Sequence, residues 1–130
     1  MEFIHPATDE QVDEIQAILS RDPGQGIVDV RGAGPLYHVI VKEGGAIIAI
    51  ASIDSQIGEL WKLYVAPGYK GRGVGTSLVN KVIDLLRDGC FEELLVEMTE
   101  QSFPFWEKFV SGRTYTQTDF NKITIAISRT

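Results

Sequence analysis

With one cysteine in the chain, no internal disulfide can form and no cysteine-based metal site can be assembled. Cys90 falls between a predicted helix and a predicted strand, so it is expected to be buried packing rather than a nucleophile. The two histidines, His5 and His38, sit on predicted strands without metal-ligand spacing between them, and no metal is expected. Basic residues are also scarce. Twelve Lys and Arg against 18 Asp and Glu give a net charge of -6, so no basic stripe offsets phosphate repulsion and nucleic acid is excluded as the main ligand. A cationic or small amine suits that balance better. Long apolar runs are missing as well. The longest block, residues 46–52, is strand-sized, and no signal-like N-terminal segment stands out, so the expectation is a cytoplasmic protein with no membrane partner. A length of 130 residues fits one domain, 1–130, large enough for a sheet covered by helices.

The patterning fills in that sheet. Residues 2–5 alternate like a short strand and stop at Pro6, after which Thr8, Asp9, Glu10 and Gln11 read as a capping box. Val12, Ile15, Ile18 and Leu19 then fall on one helical face. Residues 21–35, rich in glycine and proline, read as a loop. Two β-branched runs, 36–43 and 46–54, flank Gly44-Gly45 as a hairpin, and 58–65 makes a third antiparallel strand. Val74, Leu78, Val82, Leu85 and Leu86 stripe a helix that Gly89 should end. The strand expected at 92–98 follows a helical crossover, so it should run parallel to the one ending at Val65. A short helix over 103–110, with Pro104 in its first turn, and a hairpin of 114–120 with 122–128 close the chain.

The most informative stretch is residues 63–75, which reads as strand, glycine turn and helix start. Gly71, Gly73 and Gly75 let successive backbone N–H groups converge, and the opening helix adds its positive dipole end. An anion is expected there. The common nucleotide motifs do not fit: no Lys-Ser or Lys-Thr follows the glycines, and Gly71-Arg72-Gly73 lacks the third glycine of a dinucleotide fingerprint.

Lys70-Gly71-Arg72-Gly73-Val74-Gly75, preceded by Val65-Ala66-Pro67, resembles the acyl-CoA signature of the GNAT superfamily of N-acetyltransferases, with Lys70 where Arg or Gln is usual. The element order resembles that family over essentially the whole chain. The resemblance implies an α/β (α+β) fold: a mixed, mainly antiparallel sheet of about seven strands flanked by helices, with a parallel pair that splays apart. It implies acetyl-CoA as acyl donor, with Leu63, Tyr64 and Val65 on the pantetheine arm and Lys70, Gly71, Arg72, Gly73, Val74, Gly75 and Thr76 around the pyrophosphate. A backbone N–H near Leu63 would stabilise the oxyanion when an amine attacks. A homodimer through the last strands is compatible with the family.

An attacking amine must be neutral, which calls for a base. Glu59 lies four residues before Leu63, so unbroken alternation places both, with Trp61, on one face. Some members of the family carry a general-base glutamate at this position. Asp54 and Glu97 are weaker substitutes. Phe105-Trp106-Glu107-Lys108-Phe109 resembles the family's Phe-Tyr-Glu-Lys-Leu helix, with Trp106 where a tyrosine commonly protonates the departing thiolate. Indole cannot do so, which leaves Trp106 to wall the cofactor tunnel or fill core. Tyr64, Tyr115 and Ser102 are alternative proton donors among which sequence does not choose. Two functions follow: an N-acetyltransferase acting on a small-molecule amine or a peptide, or an acyl-CoA-binding regulatory or sensor protein with little transferase activity.

Overall fold

The structure, a computed structural model, describes residues 1–25, 27, 29–32 and 36–127. Part of the expected loop (26, 28 and 33–35) and the end of the last expected strand, Ser128, lie outside the described residues. The described elements run β1 (Glu2–Ile4), α1 (Asp9–Ser20), β2 (Leu36–Glu43), β3 (Ala46–Asp54), β4 (Glu59–Val65), α2 (Val74–Asp88), β5 (Glu93–Glu97), a 3-10 turn (Glu100–Ser102), α3 (Phe103–Val110), β6 (Tyr115–Asp119) and β7 (Lys122–Ala126). Seven strands form one sheet in the order β1-β2-β3-β4-β5-β7-β6. All pairings are antiparallel except β4 with β5, as the α2 crossover requires. This is the mixed fold that the sequence led us to expect.

β3 is central and reads as an uninterrupted apolar run because both of its faces are covered. On one face Val12, Ile15 and Leu19 of α1 meet Ile40, Ile47, Ile50, Tyr64 and Ala66. On the other, α2 and α3 pack against Val39, Ala49, Ala51, Leu60, Val96 and Ile125. The α1 N-terminus carries the full capping box, with Gln11 N–H donating to Thr8 Oγ1 and Thr8 N–H to Gln11 Oε1.

Two details depart from expectation. Gly89 ends α2 at its C-cap, as the sequence led us to expect, with an ordinary φ of -83°, and the left-handed position falls on Cys90, at φ 67°. Cys90 N–H donates to Arg87 C=O and Phe91 N–H to Leu86 C=O, the two bonds of a Schellman ending. That ending turns Cys90 outward, so it is exposed and not the buried packing residue that its place between helix and strand suggested.

The second departure is in β4. Ile53 pairs with Leu60 but Ser52 pairs with Lys62, so Trp61 is an extra residue, a β-bulge. The bulge reverses the alternation beyond it. Leu60, Leu63 and Val65 join the core under α2 and α3, whereas Tyr64 and Ala66 join the core under α1. Glu59, adjacent to Leu60, therefore points to the face opposite Leu63. The shared face expected from a spacing of four is overturned, because that parity holds only in a strand without an insertion.

Candidate active site

The parallel pairing of β4 with β5 consists of Glu59 opposite Leu95 and Leu60 opposite Val96. Beyond Leu60 the strands part. Among the described residues the edge of β4 from Trp61 to Val65 that faces away from β3 has no strand partner, which leaves it available to a ligand. The gap opens into a cleft of about 230 Å³ lined by Glu59, Trp61, Lys62, Glu97, Met98 and Ile27. It narrows to an inner neck lined by Leu63, Val96, Ser102 and Trp106.

At the far end of β4 the chain turns into α2. Gly71 and Gly73 hold φ of 77° and 79°, and an added Cβ at either would meet nothing within 4 Å, so backbone conformation rather than crowding selects glycine. Gly75 is different: its Cβ would come 3.0 Å from the Phe105 ring, so glycine lets α2 lie close to α3. The first turn of α2 has no side-chain cap and no acidic residue, in contrast to α1. Its first backbone bond runs from Ser77 N–H to Gly73 C=O at 3.0 Å, which leaves the N–H groups of Val74, Gly75 and Thr76 ahead of the helical ladder. A missing cap forgoes about 1 kcal/mol, whereas each buried aliphatic side chain returns ~1.5–3 kcal/mol. Six such residues on α2, from Val74 to Leu86, make the bare end tolerable.

Neither cation of the turn stands alone. Arg72 lies 3.4 Å from the Glu43 carboxylate and over the Tyr69 ring. Lys70 Nζ donates to Gln25 Oε1 at 3.0 Å and lies 3.9 Å from Asp22 Oδ2.

Glu59 is half-buried at the mouth of the cleft. Burial, then the neighbouring Glu97 and Asp54 charges, push its pKa above the ordinary carboxylate range, against an opposing pull from Lys122. Trp106 is 3% exposed and stands edge-on to Phe105 and Phe109, so it both fills core and floors the neck. Of the three alternative proton donors, only Ser102 lines the neck, and its hydroxyl donates to Thr99 C=O at 2.8 Å. Tyr64 points to the α1 face and donates to Asp22 Oδ2 at 2.7 Å; burial and that bond hold its phenol neutral far above the usual range. Tyr115 shares with Trp106 a separate hollow of about 150 Å³ between α3 and β6. Among the described residues no group of three or more His, Cys, Asp or Glu could hold a metal ion, and no helix is long and apolar enough to cross a membrane. His38 lies outside the cleft, 3.3 Å from the Val30 carbonyl.

The Acetyltransferase (GNAT) family model matches residues 2–110. The chain belongs to the GNAT acetyltransferase family. Among curated relatives, glucosamine 6-phosphate N-acetyltransferase of Trypanosoma brucei brucei is 31% identical over 74 residues, 49% of this chain and 50% of that protein, so the chain spans about half the length of the relative it matches. The fold is shared with the ribosomal-protein-S18-alanine N-acetyltransferase of Escherichia coli (TM-score 0.74, 17% identity, 98% and 94% of the two chains). It is shared too with the paiA N-acetyltransferase of Thermoplasma acidophilum in complex with coenzyme A (TM-score 0.66, 11% identity, 97% and 98% covered). The sequence did not suggest two of the residues at the site: Asp22, which meets Tyr64 of β4 from 42 residues away, and Gln25, which meets Lys70 of the glycine turn from 45 residues away.

Proposed function

We propose that the protein is an acetyl-CoA-dependent N-acetyltransferase that transfers an acetyl group to a primary amine of a small molecule or peptide by direct attack in a ternary complex. The observation that carries the reading is one continuous feature: the unpaired β4 edge beyond Leu60 runs straight into the uncapped N-terminus of α2. When bound, acetyl-CoA supplies the activated acyl group. The residues present fit it. A Cβ built at Gly71 or Gly73 meets nothing within 4 Å, and the N–H groups of Val74, Gly75 and Thr76, ahead of the helical ladder, would hold the pyrophosphate. The free backbone edge at Leu63, Tyr64 and Val65 would take the amides of the pantetheine arm, as a strand would. Lys70 and Arg72 flank the turn, and Trp106 keeps water from the floor of the neck.

Glu59 takes the acceptor's proton. Its raised pKa makes it a stronger base than an ordinary carboxylate, and it faces the wider part of the cleft where an amine would enter. The names of the relatives span an amino sugar and a protein alanine as acceptors, and both are amines.

A second reading rests on one observation: the neck is floored by an indole instead of a hydroxyl at Trp106. In that reading the protein binds acyl-CoA and reports on it without turnover. Calorimetric titration with acetyl-CoA, CoA and ATP, followed by a CoA-release screen over amines and peptides, tests both. Micromolar acetyl-CoA binding with CoA release supports the transferase, binding without release across the panel selects the sensor, and absence of binding refutes both.

A further inference from the structure

Directly after α1, the Asp22 side chain turns back into the protein. It is 12% exposed, whereas the acids of the other described ion pairs, Asp9, Asp13, Glu43 and Asp84, are between 38% and 102% exposed. Its Oδ2 accepts from the hydroxyl of Tyr64, which is 2% exposed, and faces Lys70 Nζ at 3.9 Å. Lys70 also donates to Gln25 and lies 5.9 Å above the Tyr64 ring. Packing alone does not call for this arrangement, because phenylalanine would fill the Tyr64 site and withdrawing a carboxylate from water is unfavourable. What the carboxylate joins is specific. Tyr64 lies in the stretch of β4 beyond its pairing with β5, Lys70 opens the glycine turn, and the segment that carries Asp22 and Gln25 continues to Ile27 on the wall of the cleft.

We infer that Asp22 is a positioning residue for acetyl-CoA, holding Tyr64 and Lys70 so that the β4 edge and the N–H groups of the turn converge before the ligand arrives. The inference rests on the transferase reading of the turn. Asp22 itself touches no ligand; it acts through the Tyr64 hydroxyl and the Lys70 ammonium. Losing either contact frees the turn to sample arrangements in which its N–H groups diverge, and apparent affinity falls with the fraction of competent conformers.

The test is calorimetric titration of the full chain and of Tyr64→Phe and Asp22→Asn with acetyl-CoA at 25 °C, alongside thermal unfolding of each. Wild-type binding comes first: its absence overturns the function reading and not the network. Given wild-type binding, Tyr64→Phe and Asp22→Asn should each raise Kd by about tenfold, the size of one charge-assisted hydrogen bond, and the double variant should lose little more than either single one. A purely structural role lowers Tm and leaves Kd unchanged in folded protein, and that result would overturn the inference. Were Tyr64→Phe not to fold, Asp22→Asn, which keeps shape and an acceptor oxygen, decides on the same two readings.

Discussion

Thr76→Asp separates a phosphate site from an ordinary helix start, because the two demand opposite signs. Thr76 is the third residue of α2, exposed, in a first turn with no cap and no acid. If that turn is only a helix terminus, a carboxylate there complements the dipole and stabilises the fold by about 0.3–1 kcal/mol, with a rise in Tm of ~1–4 °C. If the turn holds a pyrophosphate, the same carboxylate stands roughly one helical turn, ~6 Å, from a bound phosphate. Repulsion per charge is then about 0.7 kcal/mol at the dielectric of water and ~2.8 kcal/mol at the value suited to protein surfaces. That corresponds to a loss of affinity between about threefold and a hundredfold. Thermal denaturation and calorimetric titration of Thr76→Asp, with Thr76→Asn as the uncharged control, should show higher Tm together with weaker acetyl-CoA binding. The deficit should shrink at high salt as screening shortens the interaction. A raised Tm with unchanged affinity would refute the anion site. A lowered Tm would refute the bare terminus on which it is built.

Four further outcomes, from three variants, follow from the same geometry. Glu59→Gln should lower turnover by about 10²–10⁴-fold at neutral pH and remove the acid limb of the pH–rate profile, with acetyl-CoA affinity nearly intact; an unaltered profile removes Glu59 from the mechanism. Because its folded pKa is raised, ionised Glu59 opposes folding above that pKa, so Glu59→Gln should also be at least as stable as wild type at pH 8, an advantage that disappears below the unfolded pKa; chemical denaturation at the two pH values checks this. Cys90→Gly should raise stability by about 1 kcal/mol with no change in acetyl-CoA binding, since glycine relieves the φ of 67° at the end of α2; a loss of stability would mean that the thiol makes a contact outweighing that strain. Trp106→Tyr should lower Tm through the volume lost in the core yet raise CoA release by about tenfold or more, and no gain would show that this position is not aimed at the leaving sulfur.

Local signals made most of the fold legible. The capping box at Thr8, the Gly44-Gly45 hairpin, the stripe from Val74 to Leu86 and Pro104 in the first turn of α3 each act within a few residues, and each element formed where its signal stands. The glycine turn was legible for the same reason, since φ is a property of one residue and Gly71 and Gly73 adopt the left-handed values that their spacing suggested. The α2 ending shows the limit of that reasoning: glycine marks a favoured place for positive φ, and the Schellman bonds put it one residue later, on Cys90. The Asp22 contacts to Tyr64 and Lys70 were invisible because no periodicity links residues more than 40 apart.

The bulge at Trp61 was equally silent, and it decides which way Glu59 points. An unbroken strand from Glu59 to Val65 would put Glu59 and Leu63 on one face, with the base on the side of the sheet occupied by α2 and α3. With Trp61 inserted, Leu63 and Val65 stay against the core under α2 and α3, where Leu63 lines the neck with Trp106, while Glu59 faces Glu97 and Asp54 on the side that α2 and α3 leave uncovered. The insertion also raises the local twist at the point where pairing with β5 ends after Leu60, which is where a ligand gains the β4 edge. In the proposed transferase, one extra residue thus parts the strands for the acyl donor and turns Glu59 toward the acceptor. On the proposed reading the acceptor enters beside Glu59 and the acyl donor along the β4 edge, two sites that share Trp61 and Lys62 in their linings, and direct transfer requires that the amine and the acyl carbon meet at that shared stretch.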